Sequence, residues 1–258
     1  MVITLLTDFG DLYPASMKGV IFGINPAANI VDISHSVPRH DVRAGAFMLM
    51  SCVRYFPPGT VHIAVVDPGV GTQRRPIAVR AESRDFGVHY FIGPDNGLLI
   101  PAARSMGKIG VYEITNKDLF DQNVSSTFHG RDIFAPLGAH ISKGMDISEV
   151  GKLISDFVDL DFGSIKKKED SLEGKVIFID EFGNIVTNIS SDLIDFQPGD
   201  VMEIENKRVV FQRSYGFCRE GEPLALIGSH GYLEIAVNKR NAANLFIKKQ
   251  GDKIFINI

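Results

Sequence analysis

The chain has 258 residues, 45% hydrophobic and 22% charged, with a formal net charge of -4 from 27 Lys+Arg against 31 Asp+Glu. That length suits one large domain or two unequal ones with a sizeable buried core. The weakly acidic balance, without a basic stripe carrying interleaved aromatics, argues against nucleic acid as a partner.

Val2 to Leu6 is a compact apolar run and Asn29 to Ile33 another, with Met17 to Ile24 between them at helix-like spacing. From His40 to Tyr55 the apolar residues Val42, Ala46, Leu49 and Val53 recur every three or four positions, and Thr60 to Val66 follows as a third strand. Ile77 to Val79 and Tyr90 to Ile92 read as further strands. Strand, crossover, strand predicts a mostly parallel sheet covered by helices. Ligands on such sheets gather beyond the carboxyl ends of the strands. Polar turn residues cluster there: Thr7-Asp8-Phe9-Gly10, Ser34-His35-Ser36, Asp67-Pro68-Gly69 and Gly93-Pro94-Asp95-Asn96-Gly97.

Beyond residue 163 the runs become short and strand-like: Val176 to Ile179, Ile185 to Ile189, Val201 to Ile204, Arg208 to Phe211, Leu224 to Ile227, Leu233 to Val237, Leu245 to Ile247 and Ile254 to Ile258, separated by turns such as Pro198-Gly199-Asp200. The expected organisation is an α/β domain over 1–163, a charged linker over 164–173 and an all-β, barrel-like domain over 174–258. The linker holds Lys166-Lys167-Lys168, a basic run that Glu169 and Asp170 offset.

Two cysteines, Cys52 and Cys218, form no CxxC pair, so neither a zinc site nor a disulfide framework is expected. The N-terminal segment has no basic n-region, and no run of about 18 apolar residues spans a membrane, so a cytoplasmic location without membrane attachment is expected.

Several segments carry chemistry. In Val65-Val66-Asp67-Pro68-Gly69-Val70-Gly71-Thr72-Gln73-Arg74-Arg75 a strand delivers a carboxylate to a glycine-rich turn followed by two arginines. Such a pair can orient a water, and it can equally be a salt bridge across a turn. No GK[ST] follows, which excludes a P-loop. Thr127-Phe128-His129-Gly130-Arg131-Asp132 sets a histidine at the start of a helix and has the most site-like surroundings of the seven histidines. His35 ranks next, while His62 and His89 lie in strands and read as structural. Asp8 and Asp11 sit where a carboxylate can meet sugar hydroxyls or cap a helix. Asp180-Glu181-Phe182-Gly183-Asn184 offers a carboxylate and an amide, or a plain hairpin turn.

TDFG, DVRAGA, VVDPGVGT with its paired arginines, GPDNGLL, FHGRD, the D-x-FGN-x-x-TNI stretch and GYLEIA-x-N occur in that order across both parts of the chain. Together they resemble the SAM hydroxide adenosyltransferase family, S-adenosyl-L-methionine (SAM) hydrolases related to the fluorinases and chlorinases. The resemblance implies an α/β domain with a barrel-like partner, and a homotrimer with active sites between subunits. It implies hydrolysis of SAM to adenosine and methionine without metal or cofactor. By motif position the water-handling set is Asp67, Arg74 and His129, with Arg75 an alternative to Arg74. His129 and Asp67 would orient and deprotonate the water while the arginine stabilises hydroxide character. Asp8 would hold the ribose diol, and Asp11 and Asp180 would face the methionine ammonium. Asn184, Asn241 and Ala242 would line the adenine, Phe217 would stack on it, and Ser229 would meet the carboxylate. His40 stands where the fluorinases carry a tryptophan, and the turn after Gly10 is shorter than theirs. A SAM- or adenosine-binding module without chemistry and a chloride-using halogenase are the alternative functions.

Overall fold

Strands that are apolar on both faces must be covered on both faces, and β1 (Val2–Thr7) is such a strand: all but its first residue are buried. The computed structural model describes residues 1–257 and divides into two units, Met1–Leu160 and Asp161–Ile258. In the first unit β1 is followed by α1 (Tyr13–Ile24), β2 (Asn29–Ser34), α2 (Val42–Val53), β3 (Val61–Val65), β4 (Pro76–Ser83), β5 (Gly87–Pro94), α3 (Ile100–Ser105), β6 (Lys108–Ile114), α4 (Ala135–Ser142) and β7 (Gly151–Ile154). The sheet order is β2-β1-β3-β5-β4-β6-β7. The strands β2, β1, β3 and β5 run parallel, as the alternating pattern predicts, and β4, β6 and β7 extend the sheet antiparallel. Helix α1 packs with α4, and α2 with α3.

The helices follow from their local chemistry. Asp41 caps α2 by accepting the Ala44 N–H at 2.9 Å. Gly45 lets that helix lie close on the segments that follow β3 and β5, since a Cβ there would meet the Leu98 side chain at 2.9 Å and that of Val66 at 3.0 Å. The apolar face of α1, with Met17 and Ile21, closes over Ile3, Leu5, Ile63 and Val65. The chain leaves β1 to one side for β2 and returns to its other side for β3. That reversal makes the carboxyl ends of β1 and β3 a topological switch point, where a crevice forms. Thr7 pairs with Val65 across it, so Asp8 and Asp67 leave the sheet there.

The second unit contains β8 (Lys166–Lys168), β9 (Ser171–Ile179), β10 (Ile185–Ser190), β11 (Val201–Ile204), β12 (Lys207–Phe211), β13 (Pro223–Ile227), β14 (Tyr232–Val237), α5 (Ala242–Phe246) and β15 (Lys253–Asn257). Strands β10-β14-β13-β12-β11-β15-β9 join edge to edge, and the β10–β9 pairing closes them into a barrel, which removes the exposed edges of an open sheet. Strand β11 alternates exposed and buried residues, as a closed barrel requires. Residues 166–168, within the charged stretch, form an edge strand paired with β9. Leu245 to Ile247, read as a strand from its apolar composition, is instead the end of α5: Asn241 accepts the Asn244 N–H at 2.7 Å and starts a helix. Of the strand expected over 254–258, Lys253–Asn257 is formed and Ile258 lies outside the described residues. Among the described residues no helix is long and apolar enough to cross a membrane.

Candidate active site

The turn after β3 is built so that its carboxylate and its guanidinium meet. The Val70 N–H bonds the Asp67 carbonyl and the Thr72 N–H bonds that of Gly69, which curls residues 67–74 back on themselves. Arg74 then donates to both carboxylate oxygens of Asp67, Nε at 3.1 Å and Nη2 to the other oxygen. Both side chains are deeply buried, 8% and 4% exposed, so the pair relies on this two-pronged geometry to offset the loss of water.

His129 comes to the same guanidinium from 55 residues away: Arg74 Nη2 lies 3.0 Å from His129 Nδ1. His129 precedes a π-helical turn, Gly130–Phe134, of the kind that recurs at functional sites. The segment before it is tied down by Asp132, fully buried, whose carboxylate accepts the Ser125 N–H at 2.8 Å and pairs with Arg131. Gly71, at φ 74°, lets the 67–74 turn press on this segment, because a Cβ there would collide with the Ser126 carbonyl oxygen. Phe128 packs edge-on against Phe9 and Tyr13, both at 5.6 Å between ring centres.

The hydrogen-bond directions are fixed by chemistry. A guanidinium only donates, so His129 Nδ1 accepts and the proton of the neutral ring sits on Nε2. Burial and then the neighbouring Arg74 charge push the His129 pKa down, with Asp67 and Asp132 opposing. The imidazole is thus neutral at pH 7. Arg74 Nη1 is buried and has no hydrogen-bond partner among the described residues, which leaves an N–H suited to an oxygen-bearing ligand.

Arg75 is committed elsewhere. It donates to Asp95 from Nε at 3.1 Å and Nη2 at 2.8 Å, and to both oxygens of Asp156 at 3.2 Å. Of the adjacent arginines, Arg74 is the one joined to Asp67 and His129. Asp8, its side chain 8% exposed, accepts the His40 N–H at 2.9 Å through Oδ2, and His40 takes φ 64° there. Asp11 is exposed on the turn beyond Gly10.

In the barrel unit a cavity of about 490 Å³ is lined by Asp180, Phe182, Asn184, Tyr215, Val237, Lys239, Arg240 and Asn241. The resemblance implies Asn184 and Asn241 at the adenine and Asp180 at the methionine ammonium. Asp180 is occupied by its own loop, accepting from the N–H groups of Phe182 at 3.0 Å and Asn184 at 2.8 Å and from Asn184 Nδ2 at 2.9 Å. Asn241 presses its amide on Gly183, where a Cβ would clash with it. Ala242 is buried at the start of α5, and Ser229 lies in the turn between β13 and β14. Phe217 is 67% exposed outside the cavity lining, in which Tyr215 of the same short turn takes part. No motif singles out Tyr215 or the buried Glu234 that it bonds at 2.6 Å as site residues. Glu234 stands between Leu233 and Ile235, and an acid enclosed by apolar neighbours on a strand was the available signal.

Two family models cover most of the chain: the SAM hydroxide adenosyltransferase N-terminal domain over residues 3–151 and its C-terminal domain over 174–255. The chain is 37% identical to an (R)-S-adenosyl-L-methionine hydrolase of Salinispora tropica, with 98% of this chain and 96% of the relative aligned. It is also 37% identical to an enzyme of that name from Methanocaldococcus jannaschii, over 99% and 95% of the two chains. The crystal structure of an uncharacterized conserved protein from Thermotoga maritima superposes with a TM-score of 0.91 at 36% identity, covering the whole of both chains. With the Asp67, Arg74 and His129 motifs standing together in the fold, the chain belongs to the SAM hydroxide adenosyltransferase family.

Proposed function

We propose that the protein hydrolyses S-adenosyl-L-methionine to adenosine and L-methionine by in-line attack of water on the 5′ carbon. The observation that carries this reading is one guanidinium, Arg74, fastened to both Asp67 and His129, with a further buried nitrogen that has no hydrogen-bond partner among the described residues. The hydrolases that the chain resembles support the same substrate.

The chemistry asks little beyond positioning. The 5′ carbon bears a sulfonium, so the C–S electron pair leaves on sulfur as a neutral thioether and needs no acid. As the water oxygen bonds to carbon it takes on positive charge, and its proton becomes easy to remove. The reaction as written therefore calls for no metal and no cofactor. His129 Nε2 carries a proton and acts as a donor that orients the water oxygen. Asp67 is the acceptor in the set: each carboxylate oxygen keeps a second lone pair beside its bond to Arg74. Asp67 receives the water proton and returns it to solvent. Arg74 holds both groups in register and steadies the oxygen as the proton departs. Orientation alone contributes several kcal/mol of barrier reduction, about 7–11 at the limit, and fixed dipoles in a dry site add to it.

The remaining roles rest on the resemblance. Asp8 faces the ribose diol, Asp11 and Asp180 the methionine ammonium, Ser229 the carboxylate, Phe217 a base face, and Asn184 with Asn241 and Ala242 the adenine edge. A homotrimer with sites shared between copies follows from the same source. A cytoplasmic location accords with Cys52 and Cys218 being free thiols.

Purified protein incubated with SAM in ¹⁸O-labelled water should release adenosine and methionine in equal amounts, with the label in the adenosine 5′ hydroxyl. Methylthioadenosine, S-adenosylhomocysteine or a 5′-chloroadenosine product would overturn the assignment. Tight SAM binding with no product over hours would convert it to a binding module.

A further inference from the structure

Two carboxylates that the reaction above does not use for bond making serve the barrel cavity, Asp180 from its lining and Glu234 from behind Tyr215. Asp180 Oδ2 takes the Asn184 amide nitrogen at 2.9 Å, while its Oδ1 anchors two backbone N–H groups of the same turn. A carboxylate only accepts, so the amide has one permitted orientation: Nδ2 toward Asp180 and Oδ1 turned away from it. Asn184 is 6% exposed, so little solvent competes for that choice. Glu234, 5% exposed on β14, does the same to Tyr215: its Oε1 accepts the phenol proton at 2.6 Å, and its Oε2 lies 3.3 Å from His230 Nε2. Tyr215 has one proton and spends it there. Its oxygen can offer only lone pairs to a ligand. Burial, then Glu234 and Asp180, hold that phenol well above its ordinary pKa, so it stays an uncharged acceptor.

Asn184 and Tyr215 line the same cavity. We propose that Asp180 and Glu234 set the base specificity of this protein, locking Asn184 and Tyr215 as acceptors that require an exocyclic amino group on the bound purine. The inference rests on the cavity holding the nucleoside of the hydrolase reading. A 6-amino purine brings two N–H donors to two acceptors. A 6-oxo purine brings lone pairs against lone pairs, and a dimethylated amino group brings none of the donors. The cavity's cations, Lys239 and Arg240, only donate, so they cannot replace Asn184 and Tyr215 as acceptors for a 6-amino group. Asp180 and Glu234 are positioning residues here, acting through their neighbours.

Calorimetric titration of the full-length protein with adenosine, inosine and N6,N6-dimethyladenosine tests this. The native protein should bind adenosine at least about tenfold more tightly than either analogue, the worth of one to two hydrogen bonds. Asp180→Asn puts a donor where Oδ2 stood, so the Asn184 amide should turn round. Glu234→Gln gives Tyr215 a donor to accept from and frees its own proton. Each substitution should narrow or invert the adenosine-to-inosine ratio by about tenfold. A ratio is read from folded protein whatever the folded fraction, and the two variants are independent. A native ratio near one, or both variants keeping the native ratio, overturns the proposal, as does failure of adenosine to bind. SAM turnover then separates the readings: with adenosine still released from SAM only the base-selection proposal falls, and without it the hydrolase assignment falls too.

Discussion

Arg74 and Arg75 are consecutive residues that serve different carboxylates: Arg74 closes on Asp67 and His129, and Arg75 on Asp95 and Asp156. Arg75 thereby clips the end of β5 to the segment after β7, where Asp95 also accepts the Val158 N–H at 2.8 Å. Replacing Arg74 by Lys removes the fork that reaches two partners at once and should lower kcat by about 100-fold or more, the scale of losing a preorganised donor. Replacing Arg75 by Lys should lower the melting temperature by a few degrees and leave kcat within about tenfold of native. Steady-state kinetics and thermal melts on both variants decide it. Equal loss of activity in the two would remove the distinction.

The direction of the Arg74–His129 hydrogen bond gives the pH profile a sign. Burial and then Arg74 hold the His129 pKa below its usual 6.5. Protonation would put an Nδ1–H against a guanidinium N–H and break the set. Activity should therefore be flat through neutral pH and fall on the acid side, beginning below pH 6.5.

Asparagine can mimic the bound histidine by accepting with its oxygen and donating with its nitrogen. His129→Asn should retain about tenfold more kcat than His129→Ala, and its acid fall should lie at lower pH than that of the native protein. If His129 instead removes the water proton, both substitutions should be equally inactive.

Much of this arrangement is legible in the sequence. The apolar runs before Thr7 and Asp67 announce parallel strands, and the turn residues after them mark the crevice. Periodicity places α2 because Ala46, Leu49 and Val53 repeat on one face. Leu245 misleads because a three-residue apolar run has no period, and the deciding signal is the Asn241 cap instead. The choice between Arg74 and Arg75 is not written locally. It is made by Asp95 and Asp156, 20 and 81 residues beyond Arg75, and by His129. Tyr215 lies in a loop of aromatic and small residues, and its bond to Glu234 and its place in the cavity lining, both tertiary, distinguish it from Phe217.

Gly71 tests whether the turn and the His129 segment act as one body. Gly71→Ala meets both a left-handed backbone and the Ser126 carbonyl. Gly144→Ala meets the backbone term alone, since φ is 99° with nothing near a would-be Cβ. Both variants should lose about 1–3 kcal/mol of stability. Only Gly71→Ala should also lower kcat, because Ser126 must move and His129 follows three residues later. Chemical denaturation with parallel kinetics reads the two terms separately. Equal kcat in the two variants would show that His129 is positioned independently of the turn.

The last prediction concerns stability, through the buried relay of Thr4, His62 and His89. His89 Nε2 lies 3.2 Å from the Phe86 carbonyl and must donate, so its Nδ1 accepts from His62 Nε2 at 3.1 Å, and His62 Nδ1 accepts the Thr4 hydroxyl at 2.8 Å. Each ring carries one proton, and every bond runs in the same direction. A second proton on His89 would set two donors face to face, and one on His62 would bury a charge inside the sheet. Burial, with His89 alongside, lowers the His62 pKa to about 3, and burial lowers that of His89. An unfolded chain binds these protons near pH 6.5. Between about 6.5 and 3 the unfolded state therefore holds more protons, so this part of the stability is complete above pH 6.5 and is lost as the pH falls. For His62 the slope across that window is about 1.4 kcal/mol per pH unit. His62→Gln keeps an amide donor and acceptor but does not titrate. Denaturant unfolding at pH 7 and pH 5 should show the native protein losing about 2 kcal/mol more than His62→Gln across that interval. Parallel losses in the two proteins would place the acid sensitivity elsewhere in the fold.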